Sequence, residues 1–519
     1  MADLVILGGG ASGLMAAVSA ARFIPGKNIS ILERGPRVGK KLLVTGNGRC
    51  NLTNLELDFS RYHGAPESFV SAVFSQLPPK DTLSLFGRLG LLYREEGQGR
   101  CYPYGGQASA VLDVLRRYLE GRNVEERCQT SVEAVKRKPG GYELKTSGGV
   151  VFAKRLILAS GGRAMPSSGS DGSGLKLAAS LGLKASEPFP SLAPVRAASP
   201  VLKAVKGLRC RGRASLLADR KTVKQETGEI QFTDQGLSGI CILNLSRLVG
   251  EFFSHRTVNR HKTEKVELSL DLVPDLDYSS LLSFLQALLH GQPRLPVEQL
   301  LSGIVNKRVG LALLKQLMPS ALSRPCGSLS PSELKTICRT VKDWRFSPTG
   351  TLGWQQAQST AGGLLSSQFE SATLESKGLP GLYACGEAAG TFGHYRPGGT
   401  ALNSTQVGSL RAARHIRYHG RPLPEALPPY VPVEVPAGDA PAQMVELQRA
   451  ITRCAAFQRD AGAMRALAER AGAVLSHARP LAEGDPDAAA RLRLAIERRE
   501  TVAVFGDYDV DGITSACLV

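Results

Sequence analysis

The N-terminus restricts this chain more than any other feature. Residues 3–7 (DLVIL) read as a buried parallel strand and run straight into GGGASG, which sets Gly8, Gly10 and Gly13 at GxGxxG spacing. The following LMAAVSAAR reads as a helix of small residues, and NISILE reads as a second apolar strand ending at Glu33. Strand, glycine turn, helix, strand and an acid about 20 positions past the last glycine make a dinucleotide-binding βαβ unit. Gly8 permits the tight turn, Gly10 lets backbone approach a pyrophosphate, and Gly13 lets helix pack on strand. The helix N-terminus offers free N–H groups and its positive dipole end to the phosphates, and Glu33 is placed to accept from an adenosine ribose.

Composition narrows the class around that unit. Hydrophobic residues at 43% and charged residues at 21% describe a soluble globular protein, and 519 residues imply two to four domains. The uncharged run from Leu4 to Ala21 superficially resembles a signal peptide. It lacks a basic leader and is broken by four glycines, so a cytoplasmic protein with no membrane association is expected. The ten cysteines form no CxxC pair and are expected to be reduced thiols. The formal charge of +18 is spread without a dense Lys/Arg block, so nucleic-acid binding is not the leading expectation.

The segment GKKLLVTGNGRCNLTN (residues 39–54) distinguishes FAD from NAD. It is glycine-rich, basic and full of short hydrogen-bonding side chains, and a loop here can run beside a flavin's pyrophosphate and ring. Lys41, Thr45, Gly46, Gly48, Arg49 and Cys50 are therefore expected cofactor residues. Arg49 and Arg100 suit FAD phosphates, an anionic substrate or a plain surface ion pair; Cys50 and Cys101 suit flavin-proximal thiols or small packing residues.

The same loop resembles the signature of FAD-dependent oxidoreductases of the aminoacetone-oxidase and BaiN type. So do GRCYPYGGQASAV (99–111), LILASGGRAMPSSGSDGSG (156–174), which contains Gly161, GEIQFTDQGLSGI (228–240) and AQSTAGG (357–363). The closing motif, residues 381–413, is instead similar to succinate dehydrogenase and fumarate reductase flavoproteins. That resemblance implies that Gly386 and Glu387 meet the flavin, with Glu387 on its ribityl chain, and that a helix opening at Gly399, Thr400 and Ala401 faces the pyrimidine edge. A helix N-terminus there would stabilise the negative charge of reduced flavin. It also implies that Arg396 holds a substrate carboxylate or carbonyl, with His394 beside it as candidate proton donor or merely a surface histidine. The family's second substrate ligand and its flavin-attaching histidine are absent, so the FAD is expected to be non-covalent.

The expected architecture is α/β: a discontinuous Rossmann-like FAD-binding domain (1–190 and 354–422) interrupted by an inserted α+β substrate or cap domain (191–353). A proline-rich linker (423–438), a helical segment (439–475) and a partial α/β tail (476–519) follow. No second strand–GxGxxG–helix unit is visible. Reducing equivalents are thus expected from transiently bound NAD(P)H or from an electron-donor protein. The tail sequence GDYDVDGITS resembles the first motif of RecJ-type DHH phosphoesterases. Asp507, Asp509 and Asp511 are its weak metal candidates, and no nuclease activity is expected because the later motifs are missing. The leading function is hydride transfer between flavin and a small organic substrate, at a bond next to a carbonyl. The alternatives are a flavin amine oxidase and a nucleic-acid-associated fusion.

Overall fold

The computed structural model describes residues 2–56, 62–63, 65–75, 77–258 and 265–389, with Ser409, Ala412, Ala413, His415, Ile416 and the pairs 502–503 and 517–518. Two compact units divide the chain, at residues 1–423 and 424–519. In the second, Val502–Ala503 pairs antiparallel with Cys517–Leu518.

The first unit is built on a mixed eight-stranded sheet. Strand β1 (Ala2–Leu7) lies between β2 (Ile29–Leu32) and the Gly149–Leu158 strand, parallel to both. Glu125–Arg127 extends the sheet beyond β2, and Leu379–Ala384 extends it beyond Gly149–Leu158, again in parallel. Alternation along β1 shows why this strand is continuously apolar. Leu4 and Ile6 enter the core beneath helix α1 (Ala11–Ala20), whereas Val5 and Leu7 enter a second core on the opposite face. Nine of the ten α1 residues are buried, which is why the helix needs alanine, serine and glycine rather than an amphipathic stripe.

A second, antiparallel sheet of seven strands spans residues 195–351, in the order Trp344–Phe346, Val266–Asp271, Arg209–Ala218, Lys221–Phe232, Gly236–Ser238, Val195–Ala197, Pro348–Thr351. It has its own core, shared with helices at Ile240–Val258, Tyr278–Gly291, Lys307–Leu317 and Pro331–Lys342. The proline-rich stretch before it is not a bare linker. Phe189–Ser191 pairs antiparallel with Ser359–Ala361, so the chain leaves and re-enters the flavin fold as adjacent strands.

No described helix is long and apolar enough to cross a membrane. Among the described residues no cluster of His, Cys, Asp or Glu could hold a metal ion, and Asp507, Asp509 and Asp511 lie outside the described residues.

Candidate active site

The parallel strands all end at one place. Gly8 follows β1, Glu33 follows β2, Ala159–Gly161 follow Leu158, and Glu387 follows the Leu379–Ala384 strand by three residues. An open α/β sheet binds its ligand at the carboxyl ends of its strands, where neighbouring crossovers diverge. A cleft of about 1140 Å³ lies there, walled by all of these residues, by the loop after β2 and by residues of the inserted sheet. A hollow of about 530 Å³ beside Ala21–Lys27 lies at the opposite end of α1, away from those strand ends.

The glycine turn is shaped by close backbone contacts at Gly8 and Gly13. Gly8 has φ +107°, and a Cβ there would come within 2.7 Å of the Ala159 carbonyl oxygen. A Cβ on Gly13 would lie 1.8 Å from the Gly8 oxygen, so helix and strand touch backbone to backbone. Gly10 differs: nothing lies within 4 Å of its virtual Cβ, because it faces the open cleft. It is also the N-cap of α1 and makes no side-chain cap hydrogen bond, leaving the helix N-terminus available to an anion. Glu33 lines the cleft and accepts from the Gly9 N–H at 2.8 Å and the Gly35 N–H at 2.7 Å. A carboxylate accepts about four hydrogen bonds, so capacity for ribose hydroxyls remains.

Glu387 is 6% exposed and ties four segments together. Its Oε1 accepts from the Thr360 N–H at 2.6 Å; its Oε2 accepts from Lys41 Nζ at 3.0 Å and from the Gly162 N–H at 3.4 Å. Thr360, on the strand that returns from the inserted domain, also uses its hydroxyl oxygen to accept from the N–H groups of Arg163 and Ala164. Thr360 falls within the AQSTAGG motif, but its bonding role is not legible in the sequence, since its partners lie about two hundred residues earlier. Lys41 bonds the Ala164 carbonyl as well, fixing the basic loop to the floor of the cleft.

Lys41, Thr45, Gly46, Arg49 and Gly161 line the cleft as expected. Arg49 pairs with Glu96 at 2.5 Å and stacks on Tyr102 at 4.2 Å, so it is both an ion-pair member and part of the wall. Arg100 lines it too. Gly48, Gly386 and Cys50, named from the motifs as cofactor residues, are not in the wall. Cys50 has φ +56°, which turns its side chain into the core, where it is 1% exposed. Burial pushes the thiols of Cys50 and Cys101 up to about 11, so both are neutral packing groups rather than reactive thiolates. All described cysteines are free, as their scatter implied. His394, Arg396, Gly399, Thr400 and Ala401 lie outside the described residues.

The wall also holds polar atoms that the protein leaves unsatisfied. Both carboxamide atoms of Asn51 and the hydroxyls of Ser160 and Ser170 are buried without a hydrogen-bond partner, and all three residues line the cleft. Each such atom costs about 1–3 kcal/mol unless a ligand meets it. An open helix N-terminus, the empty space beside Gly10, the Glu33 carboxylate in the cleft wall and this set of orphaned groups fit FAD. Lys41, Thr45 and Gly46 would flank it, and Glu387 would close the far end.

Comparison with known proteins agrees. The chain is 34% identical over 382 residues to a 3-dehydro-bile acid delta(4,6)-reductase of Clostridium scindens, covering 74% of this chain and 91% of that protein. It is 28% identical over 396 residues to a ribosomal RNA dihydrouridine synthase of Escherichia coli, covering 75% and 92%. Among solved structures, a flavocytochrome c3 fumarate reductase superimposes with a TM-score of 0.44 at 16% identity, covering 80% of this chain and 78% of that one. Residues 2–415 match the profile described as the HI0933-like protein Rossmann domain, and this protein belongs to that family as an FAD-dependent oxidoreductase.

Proposed function

We propose that this flavoenzyme reduces a carbon–carbon double bond conjugated to a carbonyl. The observation that carries the reading is chemical agreement between two relatives with unlike substrates. The Δ4 and Δ6 double bonds of a 3-oxo steroid and the 5,6 bond of uracil are all C=C bonds conjugated to a carbonyl. Neither of these relatives is named an amine oxidase, so the amine-oxidation alternative gains nothing from them.

FAD, when bound, supplies the hydride. The protein's residues do the rest. The glycine turn and α1 would hold the pyrophosphate and Glu33 the ribose, while the Lys41–Glu387 pair anchors the loop that forms one wall. The inserted sheet contributes Arg209, Glu229 and Gln231 to the opposite wall, so the substrate enters between the two sheets. Arg396 is the proposed group that polarises the carbonyl and His394 the proposed proton donor, both carried over from the closing motif. The reductant is transiently bound NAD(P)H or a donor protein.

The test is stopped-flow reoxidation of the dithionite-reduced protein without oxygen. Enones should restore the oxidised flavin spectrum and be recovered saturated at that bond. Enones inert in this assay, with amines bleaching the oxidised flavin and oxygen restoring it when admitted, would replace this reading with amine oxidation.

A further inference from the structure

We propose that the Asn51 carboxamide reads an imide-type edge, a ring N–H beside a C=O, of a group bound in the cleft. Among the described residues, Asn51 is the one side chain with two buried polar atoms lacking partners, Oδ1 and Nδ2, and it lies in the cleft wall. The surrounding chain holds it there. The Cys50 N–H donates to the Thr45 carbonyl at 3.0 Å and the Leu52 N–H to the Cys101 carbonyl at 2.7 Å, fixing the backbone on both sides. Gly46, with φ +55°, approaches so closely that a Cβ there would be 3.1 Å from the Asn51 backbone nitrogen and 3.5 Å from the Tyr102 ring.

A carboxamide shows an acceptor and a donor side by side, and its complement is a donor beside an acceptor. The pyrimidine ring of flavin carries that pattern, and so does uracil; a steroid nucleus does not. The ligand chemistry is therefore a cyclic imide, from the cofactor or from the substrate. The substrate source rests on the reductase reading above; the cofactor source does not.

Asn51→Leu removes both polar atoms while keeping the branching of the side chain, and Asn51→Asp keeps the shape but removes the donor. The full-length variants should be titrated with FAD, measured for flavin midpoint potential, assayed for KM with uridine and with an enone lacking N–H, and melted without FAD. In the FAD-free state Asn51→Leu should melt no lower than the parent, because two unsatisfied atoms are gone. About tenfold weaker FAD binding with a displaced midpoint potential assigns the cofactor edge. Unchanged FAD binding and potential, with KM raised about tenfold for uridine alone, assigns the substrate edge. The proposal is overturned if FAD, uridine and enone all behave as in the parent. It is equally overturned if the FAD-free variants both melt well below it, since the amide would then be a structural group. Enone turnover lost in the parent itself would sink the reductase reading while leaving the FAD arm to be read.

Discussion

Two glycine-rich segments wall the same cleft, and they are built on opposite logic. In the turn between β1 and α1 two glycines press hard on backbone: a Cβ at Gly13 would meet the Gly8 oxygen at 1.8 Å, and one at Gly8 would meet Ser160 Cα at 2.9 Å. In the loop after β2 the glycines press on side chains or, less tightly, on backbone: a Cβ at Gly46 would come no nearer to main chain than 3.1 Å, at the Asn51 backbone nitrogen. A Cβ at Gly39 would meet the Leu112 methyls at 2.4 and 2.8 Å, and at Gly48 the nearest atom is the Leu43 oxygen at 3.9 Å. The loop even places the non-glycine residues Asn47 and Cys50 in the left-handed region. Backbone cannot rearrange to admit a methyl group, whereas side chains can. The turn is thus a fixed socket, and the loop is a carrier whose purpose is to present Lys41, Arg49 and Asn51.

The largest effect that contrast predicts is at Gly13. Gly13→Ala should cost about 3 kcal/mol or more and abolish FAD binding, because the clash is with main chain on a helix whose every neighbour is packed. Chemical denaturation and flavin absorbance would measure both. A variant that folds and binds FAD normally would break the distinction between socket and carrier. Next comes Glu387→Gln, which leaves Lys41 facing a neutral amide and weakens the tie between loop and socket. A loss of about 2 kcal/mol is expected, measured by the same denaturation, with weakened FAD retention. If stability is unchanged, the loop is held by something other than this pair.

The underside of the loop makes a prediction about pH. Cys50 and Cys101 have their thiols raised by burial from the usual 9.0 to about 11. A group whose folded value is raised stabilises the fold fully below its unfolded value, and that contribution disappears as pH rises through the folded value. Stability should therefore be flat to about pH 8 and fall by about 1 kcal/mol per thiol by about pH 10. Urea midpoints across that range would show it. Alanine at both positions should flatten the alkaline limb, and a limb that persists unchanged would assign it to other groups, such as the buried Cys385.

The contrast also explains what the sequence discloses. A backbone socket demands one residue type at fixed spacing, so Gly8, Gly10, Gly13 and the acid at Glu33 stand out in the letters alone. The two-domain α/β plan is legible for a similar reason, since period-two strands and helical runs mark residues 195–351 as a separate sheet with covering helices. What the loop does with its side chains is not legible. Cys50 and Asn51 are neighbours in the same motif, yet one turns into the core at φ +56° and the other into the cleft wall. Only the backbone angle decides which. Thr360 lies in the AQSTAGG motif, yet its role is not legible there, because it comes from meeting Arg163, Ala164 and Glu387 after the chain has passed through a whole second sheet.

Gly10 gives the smallest stability effect and the sharpest comparison with Gly13, three residues away in the same turn. Its φ of −76° suits any residue, and nothing occupies the space a Cβ would take. Without FAD, Gly10→Ala should match the parent within about 0.5 kcal/mol. The methyl group would, however, stand where the turn opens to the cleft, so FAD binding should weaken by about tenfold or more. Denaturation of the FAD-free protein and flavin titration separate the two effects. If the unliganded variant is itself destabilised, Gly10 belongs to the folding requirement like Gly13; if FAD binds unimpaired, the pyrophosphate does not pass over this turn. Either result would redraw which part of the socket is shaped by the protein and which by its cofactor.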